Sequence, residues 1–264
     1  MTINTKTATL VLIVTVMMTG GSAAPALAGN GYGGGAIRGS GCGQVMMDAL
    51  AAIPAEDLSD AEIASLLKMR QEEKLARDVY LTLQLEWGAR IFANIARSEQ
   101  RHMDLVKFLL DRYGLEDPAA DDTIGTYGSE EFETLYQQLV EAGSASYGAA
   151  LTVGATIEDL DIFDLEKALL DEVDNEDIRM VYQNLTKGSR NHMRAFYGQL
   201  QALGLDDTAQ YIGEEELLEI VNSDRERGTV LDSDGEILAT CGGGGRQRGG
   251  FGAASSGPWR TPGF

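Results

Sequence analysis

The sequence predicts an all-α protein built around a four-helix bundle. Three observations carry that prediction. Only five prolines occur in 264 residues, and the long middle of the chain is rich in Ala, Leu and Glu, which cost a helix little. Four stretches of that middle repeat apolar residues at alternating steps of three and four, the spacing of a buried helical face. Cap and stop residues stand at the ends of those stretches.

Taken in order, residues 1–28 read as an export signal. Lys6 supplies a positive start, Ala8 to Met18 is an apolar run too short to cross a bilayer, and Ala26-Leu27-Ala28 offers small residues for cleavage before Gly29. The expectation is an exported protein, periplasmic or extracellular. No membrane anchor is expected, because no later apolar run is long enough and Cys42 is too distant for a lipid anchor. Residues 29–55 form a Gly-rich linker, densest in glycine to Gly43, with a short helix over Gln44 to Ile53 before Pro54.

The bundle unit is placed at 56–222. Ser59-Asp60-Ala61-Glu62 is a capping box that opens a first long helix, which runs to Trp87 and stops at Gly88. A second runs from Arg90 to Tyr113 and stops at Gly114. Residues 115–128 connect, carrying Pro118 and two glycines, and Ser129 caps a short extra helix over Glu130 to Glu141. The third long helix covers Ala145 to Val173. The fourth is capped by Asn175 and ends near Gly204. Glu214 to Asn222 reads as a small amphipathic helix. Residues 223–264 read as a small hairpin and a Gly-rich, disordered tail: Val230-Leu231 and Ile237-Leu238 flank Asp234-Gly235, a hairpin signal. Asp232-Ser233-Asp234-Gly235 also looks like the start of a calcium loop. The closing glutamate of that loop is missing, which favours a plain turn.

The bulk numbers bound the function. A 44% hydrophobic content supports one good core, and a net charge of −20 repels nucleic acids and anionic membranes. The two cysteines, Cys42 and Cys241, are too few for a four-cysteine ribbon or an iron–sulfur cluster. An oxidising compartment permits a disulfide between them, but the sequence does not bring the two flanks together.

The chemistry sits on the helical seams. The first reads Leu66, Met69, Glu73, Ala76, Tyr80, Leu83, Trp87, and the second Ile91, Ile95, Glu99, His102, Val106, Leu109, Tyr113. The third reads Leu151, Gly154, Glu158, Asp161, Leu165, Ala168, and the fourth Ile178, Val181, Leu185, Ser189, His192, Phe196, Leu200. Each seam is apolar except near its middle. A carboxylate buried without a partner costs many kcal/mol, so it must be paired, protonated or bound to metal. Glu73, Glu99, Glu158 and Asp161 would carry four negative charges, and two divalent ions would cancel them. Carboxylate oxygens with the imidazoles of His102 and His192, the only two histidines, suit iron or manganese, with zinc as an alternative.

The competing reading is a metal-free network with both histidines protonated against Glu99 and Glu158. Tyr80 is read as a partner just behind the ligands, or as plain core. Ser189 is read as a partner of metal-bound water, or as a small residue where helices approach. Glu72 lies about 100° around the helix from Glu73 and is read as a solvent or salt-bridge residue. Arg77 and Arg101 are expected to pair with surface acids.

Glu73-Lys74-Leu75-Ala76-Arg77-Asp78-Val79-Tyr80 resembles the first-helix motif of rubrerythrins, and Glu99-Gln100-Arg101-His102 the second-helix Glu-x-x-His of ferritin-like proteins. Glu158-Asp159-Leu160-Asp161 is similar to their paired-acid third helix. The phrases SEQRHMDLVKFLLDRYGLEDP and YQNLTKGSRNHMRAF resemble an uncharacterised exported ferritin-like family, domain of unknown function 2202, over residues 56–220. The resemblance implies a ferritin-like antiparallel four-helix bundle and a dinuclear iron, or iron/manganese, centre that oxidises metal or reduces peroxide or dioxygen. One departure stands out: ferritin-like fourth helices carry Glu-x-x-His, and here Ser189 replaces that glutamate. The expected partners are metal ions and dioxygen or peroxide, with no nucleic acid; a homodimer is compatible with the sequence. The alternative function is a non-enzymatic metal-binding or cell-surface interaction bundle.

Overall fold

A computed structural model describes residues 41–241. Residues 1–28, read as an export signal, the first part of the 29–55 segment read as a linker, and residues 242–264, read as a tail, lie outside the described residues. Among the described residues the fold is all-α, with seven helices and one small hairpin. The elements are α1 (Gly41–Ala52), α2 (Asp60–Trp87), α3 (Arg90–Tyr113), α4 (Glu130–Gly143), α5 (Tyr147–Asp171), α6 (Glu176–Ala202), α7 (Glu214–Asn222), β1 (Thr229–Leu231) and β2 (Ile237–Thr240).

The local signals act as the chemistry requires. Ser59 accepts from the Glu62 amide at 3.2 Å, and the Glu62 carboxylate accepts from the Ser59 amide at 2.8 Å, closing the capping box of α2. The other Glu62 oxygen accepts from the amides of Asp174 and Asn175 at 3.2 and 3.0 Å, so one side chain ties the start of α2 to the start of α6. Gly88 and Gly114 end α2 and α3 in the left-handed conformation, with φ of 63° and 68°. Such a backbone is open to glycine at no steric cost.

The short helix expected over Gln44 to Ile53 is present but starts earlier: the chain is helical from Gly41, inside the Gly-rich stretch, because Met46 and Leu50 are buried and Cys42 is disulfide-bonded to Cys241 with Cα atoms 5.3 Å apart. Packing and a cross-link override the low helix propensity of glycine there. Arg112 of α3 donates to the Leu50 carbonyl at 2.7 Å and also to that of Ile53, holding the end of α1. The hairpin is antiparallel, Val230 opposite Ala239. Its turn is local: Asp232 Oδ1 accepts from the amides of Asp234 and Glu236 at 3.0 and 2.9 Å.

The four long helices pack in a ring, α2 on α3, α3 on α6, α6 on α5, and α5 on α2, with α4 lying against α2 and α5. All the seam residues are buried except Trp87, Ile91 and Tyr113 at the helix ends. Two apolar clusters divide the interior. One holds Tyr80, Phe92, Leu151 and Phe196; the other holds Leu66, Val106, Leu165 and Leu185. Along each of the four helices the polar seam residues fall between these clusters. The core is thus a polar layer enclosed by hydrocarbon on both sides, which is where uncompensated charge costs most.

Candidate metal centre

The polar layer is built from the middles of α2, α3, α5 and α6. His102 Nδ1 lies 2.7 Å from Glu99 Oε2 and 3.2 Å from Glu73 Oε2. His192 Nδ1 lies 2.8 Å from Glu99 Oε1 and 3.3 Å from Glu158 Oε2. The two rings stack with centroids 5.5 Å apart. Glu73, Glu99 and His102 therefore form one group with metal-ligand spacing, and Glu99, Glu158 and His192 form a second. Glu99 belongs to both, one oxygen facing each histidine.

The directions of these contacts matter as much as their lengths. Although both imidazoles sit within 2.8 Å of Glu99, neither of its buried oxygens has a hydrogen-bond partner among the described residues, and Glu73 Oε1 also lacks one. Leaving such atoms bare in hydrocarbon is costly. Ligands bound at about 2.1 Å to one small divalent ion lie roughly 3.0–3.4 Å apart, close to the spacing found here. The donor set, three carboxylates and two imidazole nitrogens, is one that divalent first-row ions accept.

Electrostatics without metal reinforce the point. Burial pushes the Glu73 carboxyl up to about 7, against the lowering pull of His102. Burial also raises Glu158, with Glu99 adding to the rise and His192 opposing it. Burial alone would lower His102, but the carboxylates of Glu73 and Glu99 overcome it and lift the imidazole to about 9; His192 is raised well above its ordinary value against the same burial by Glu99 and Glu158. For Glu99, burial is outweighed by His192 and His102, which hold the carboxylate far below its usual range. These side chains on their own thus keep extra protons, which reduces the negative charge of the layer.

The remaining sequence-derived positions fall around this centre. Tyr80 is fully buried and donates to Glu158 Oε1 at 2.6 Å, with the Gly154 carbonyl at 3.3 Å. Its ring packs against Phe196 and Phe92 at 5.4 and 6.3 Å between centroids. Ser189 is buried and donates to the Leu185 carbonyl of its own helix at 3.3 Å. Asp161 is buried close enough to feel Glu73 and Glu158, yet it joins neither ligand group; its Oδ2 has no hydrogen-bond partner among the described residues, and burial raises its carboxyl well above the ordinary value.

Glu72 takes the salt-bridge alternative, paired with Lys68 at 3.0 Å, and is buried. Arg77 is buried too: it reaches exposed Asp122 at 2.5 Å, but also buried Asp78 at 2.7 Å, in a network with Lys74 that pins the 115–128 connection onto α2. One expectation is corrected: Arg101 donates to Ser98 at 3.2 Å and has no acidic partner among the described residues.

One residue of the centre escaped the sequence reading. A Cβ on Gly188 would lie 2.4 Å from His102 Nε2 and 2.6 Å from Cε1. The bare backbone of α6 is therefore the wall against which the His102 ring rests, holding Nδ1 toward the carboxylates. A glycine inside a helix costs about 1 kcal/mol relative to alanine, and that cost was the available signal for a close approach.

Comparison with known proteins adds relatives but no activity. The chain is 54% identical over 183 residues to the uncharacterized protein MJ0754 of Methanocaldococcus jannaschii, covering 69% of this chain and 98% of that protein. A crystal structure of the hypothetical protein MJ0754 from Methanococcus jannaschii matches with a TM-score of 0.65 and 55% identity, over 66% of this chain and 99% of that one. The model of an uncharacterized protein domain, DUF2202, matches residues 62–224, and the chain belongs to that family.

Proposed function

We propose that the chain is an exported ferritin-like four-helix bundle that holds two divalent metal ions, iron first, and works as a redox protein that oxidises metal or reduces peroxide or dioxygen. The observation that carries the reading is the sharing of Glu99 by two ligand groups in one buried layer. Glu73, Glu99 and His102 would hold one ion; Glu99, Glu158 and His192 would hold the other. A pair of redox-active ions there would supply electrons to a bound oxidant.

The protein's own part is to orient and to exclude water. Glu73 and Tyr80 stand seven residues apart on one face of α2, so the same helix presents a ligand and the hydroxyl that fixes Glu158. The aromatic group of Tyr80, Phe92 and Phe196 closes one side of the layer to solvent. Asp161, whose carboxyl burial and the neighbouring Glu73 and Glu158 hold above its ordinary range, is an acid placed beside the ligands that could exchange a proton with a bound oxidant.

Metal analysis of protein prepared without oxygen, followed by mixing with ferrous iron and then peroxide, tests the proposal. Two ions per chain with rapid oxidation is the expected result. Bound metal without turnover reduces the protein to a metal-binding bundle. No metal under any loading condition removes the proposal.

A further inference from the structure

A second feature opens onto the same layer from outside. A cleft of about 680 Å³ lies between the N-terminal half of α3, the start of α5, the middle of α6 and the loop after α7. That volume suits an organic molecule rather than a single small ion. His192, otherwise buried, forms part of its lining. So do four arginines, Arg90 and Arg101 from α3 and Arg225 and Arg227 from the loop, and no acidic residue is among the lining residues. In a chain with 41 acidic against 21 basic residues, a cleft lined in this way is a local reversal of sign.

The arginines are not engaged elsewhere. Among the described residues, the guanidinium groups of Arg90, Arg225 and Arg227 make no hydrogen bond or ion pair, and Arg101 has only its bond to Ser98. The loop that carries two of them is nonetheless fixed. Glu226, the residue between them, is paired with Arg190 at 2.5 Å and Arg194 at 3.1 Å, and its amide and carbonyl bond both ends of the Asn191 side-chain amide at 3.0 Å. Glu226 thus anchors the loop to α6 one residue from His192, while its neighbours line the cleft.

We infer that this cleft binds an organic anion, a phosphate ester or carboxylate with an apolar or aromatic body, beside His192. Guanidinium groups recognise both anions through charge-assisted, paired hydrogen bonds. Tyr147 and Ile91, also in the lining, offer the apolar surface for the body. A bare divalent cation is repelled by the same four charges, so this opening does not suit free ferrous iron as the incoming reactant. The relation of the anion to a reaction at the centre rests on the dinuclear reading above; the binding of the anion does not.

Calorimetric titration of the full chain with adenosine 5′-monophosphate and with phthalate, using adenosine as the uncharged control, tests this. One or both anions bind, adenosine binds far more weakly, and added salt weakens the anions. The double variant R101E/R225E, in which no buried contact is lost, weakens binding by about tenfold or more. A far-ultraviolet spectrum and melting curve like those of the parent confirm that the variant folds. Failure of both anions to bind at millimolar concentration, or equal binding to the folded variant, overturns the proposal. Metal content measured on the same samples separates the two readings: metal retained without anion binding sinks the cleft alone, whereas anion binding without metal leaves the cleft standing and sinks the dinuclear centre.

Discussion

The α2–α3 half of the centre and the α5–α6 half share one plan, a glutamate from the first helix and a histidine from the second, but differ three residues before the histidine. Each half offers a glutamate from its first helix, Glu73 or Glu158, and a histidine from its second, with Nδ1 turned inward. Three residues before His102 stands Glu99, but three residues before His192 stands Ser189, whose hydroxyl is spent on its own helix. One carboxylate therefore serves both histidines. The halves also differ in their surroundings: the His102 ring rests on the Gly188 backbone, whereas His192 borders the arginine-lined cleft. Two groups can thus be built with one carboxylate fewer, provided the shared carboxylate sits between them.

That asymmetry predicts unequal losses. The largest effect belongs to E99Q, which keeps shape but removes the shared charge; metal analysis should show both ions lost. H102A and H192A should each lose about one ion, and equal losses from all three variants would break the comparison. Next comes G188A. The added methyl forces the His102 ring to move, which should destabilise the fold by about 1–3 kcal/mol in chemical denaturation and weaken only the α2–α3 ion. Retention of full metal content in G188A would remove that residue from the site.

A pH profile gives a third, smaller handle. In metal-free protein, Glu73 binds its proton up to about pH 7 when folded, against an ordinary value of 4.5, and His102 holds its proton to about 9 against 6.5. For both groups the folded state binds more protons than the unfolded one, so stability falls as pH rises from 4.5 through about 9. Glu99, shifted the other way, contributes stability that is lost on the acid side of that window. Metal-loaded protein should be flatter over the same range, and melting temperatures of the two forms check this. The smallest effect is Y80F. It removes the donor to Glu158 and should cost about 1–2 kcal/mol, with a modest weakening confined to the α5–α6 ion.

Much of this layout was legible in the sequence because a helix seam is strictly periodic. Glu73, Glu99, Glu158, His102 and His192 each interrupt an apolar row, and a row can be interrupted only where something compensates. The cap at Ser59 and the stops at Gly88 and Gly114 bound α2 and α3 as the sequence indicates, fixing where those interruptions fall along the two helices. Asp161 shows the limit of periodicity: it lies on the counted seam and is buried, yet its carboxyl joins neither group. Glu72 shows another: it is off the seam yet buried, because it packs with Lys68 and Asp164 instead. Gly188 left only the weak signal of a glycine inside a helix, because its role is a contact with His102 on another helix. The cleft arginines left none, because their grouping joins segments as distant as residues 90 and 227, which no local period records.

The central claim, two ions sharing one carboxylate, is tested most directly by anomalous diffraction from crystals of protein loaded with iron in the absence of oxygen. The account predicts two peaks in each chain, one beside Glu73 and His102, one beside Glu158 and His192, with Glu99 touching both. A map without peaks in that layer, and with the two imidazoles hydrogen-bonded to the carboxylates alone, would contradict it.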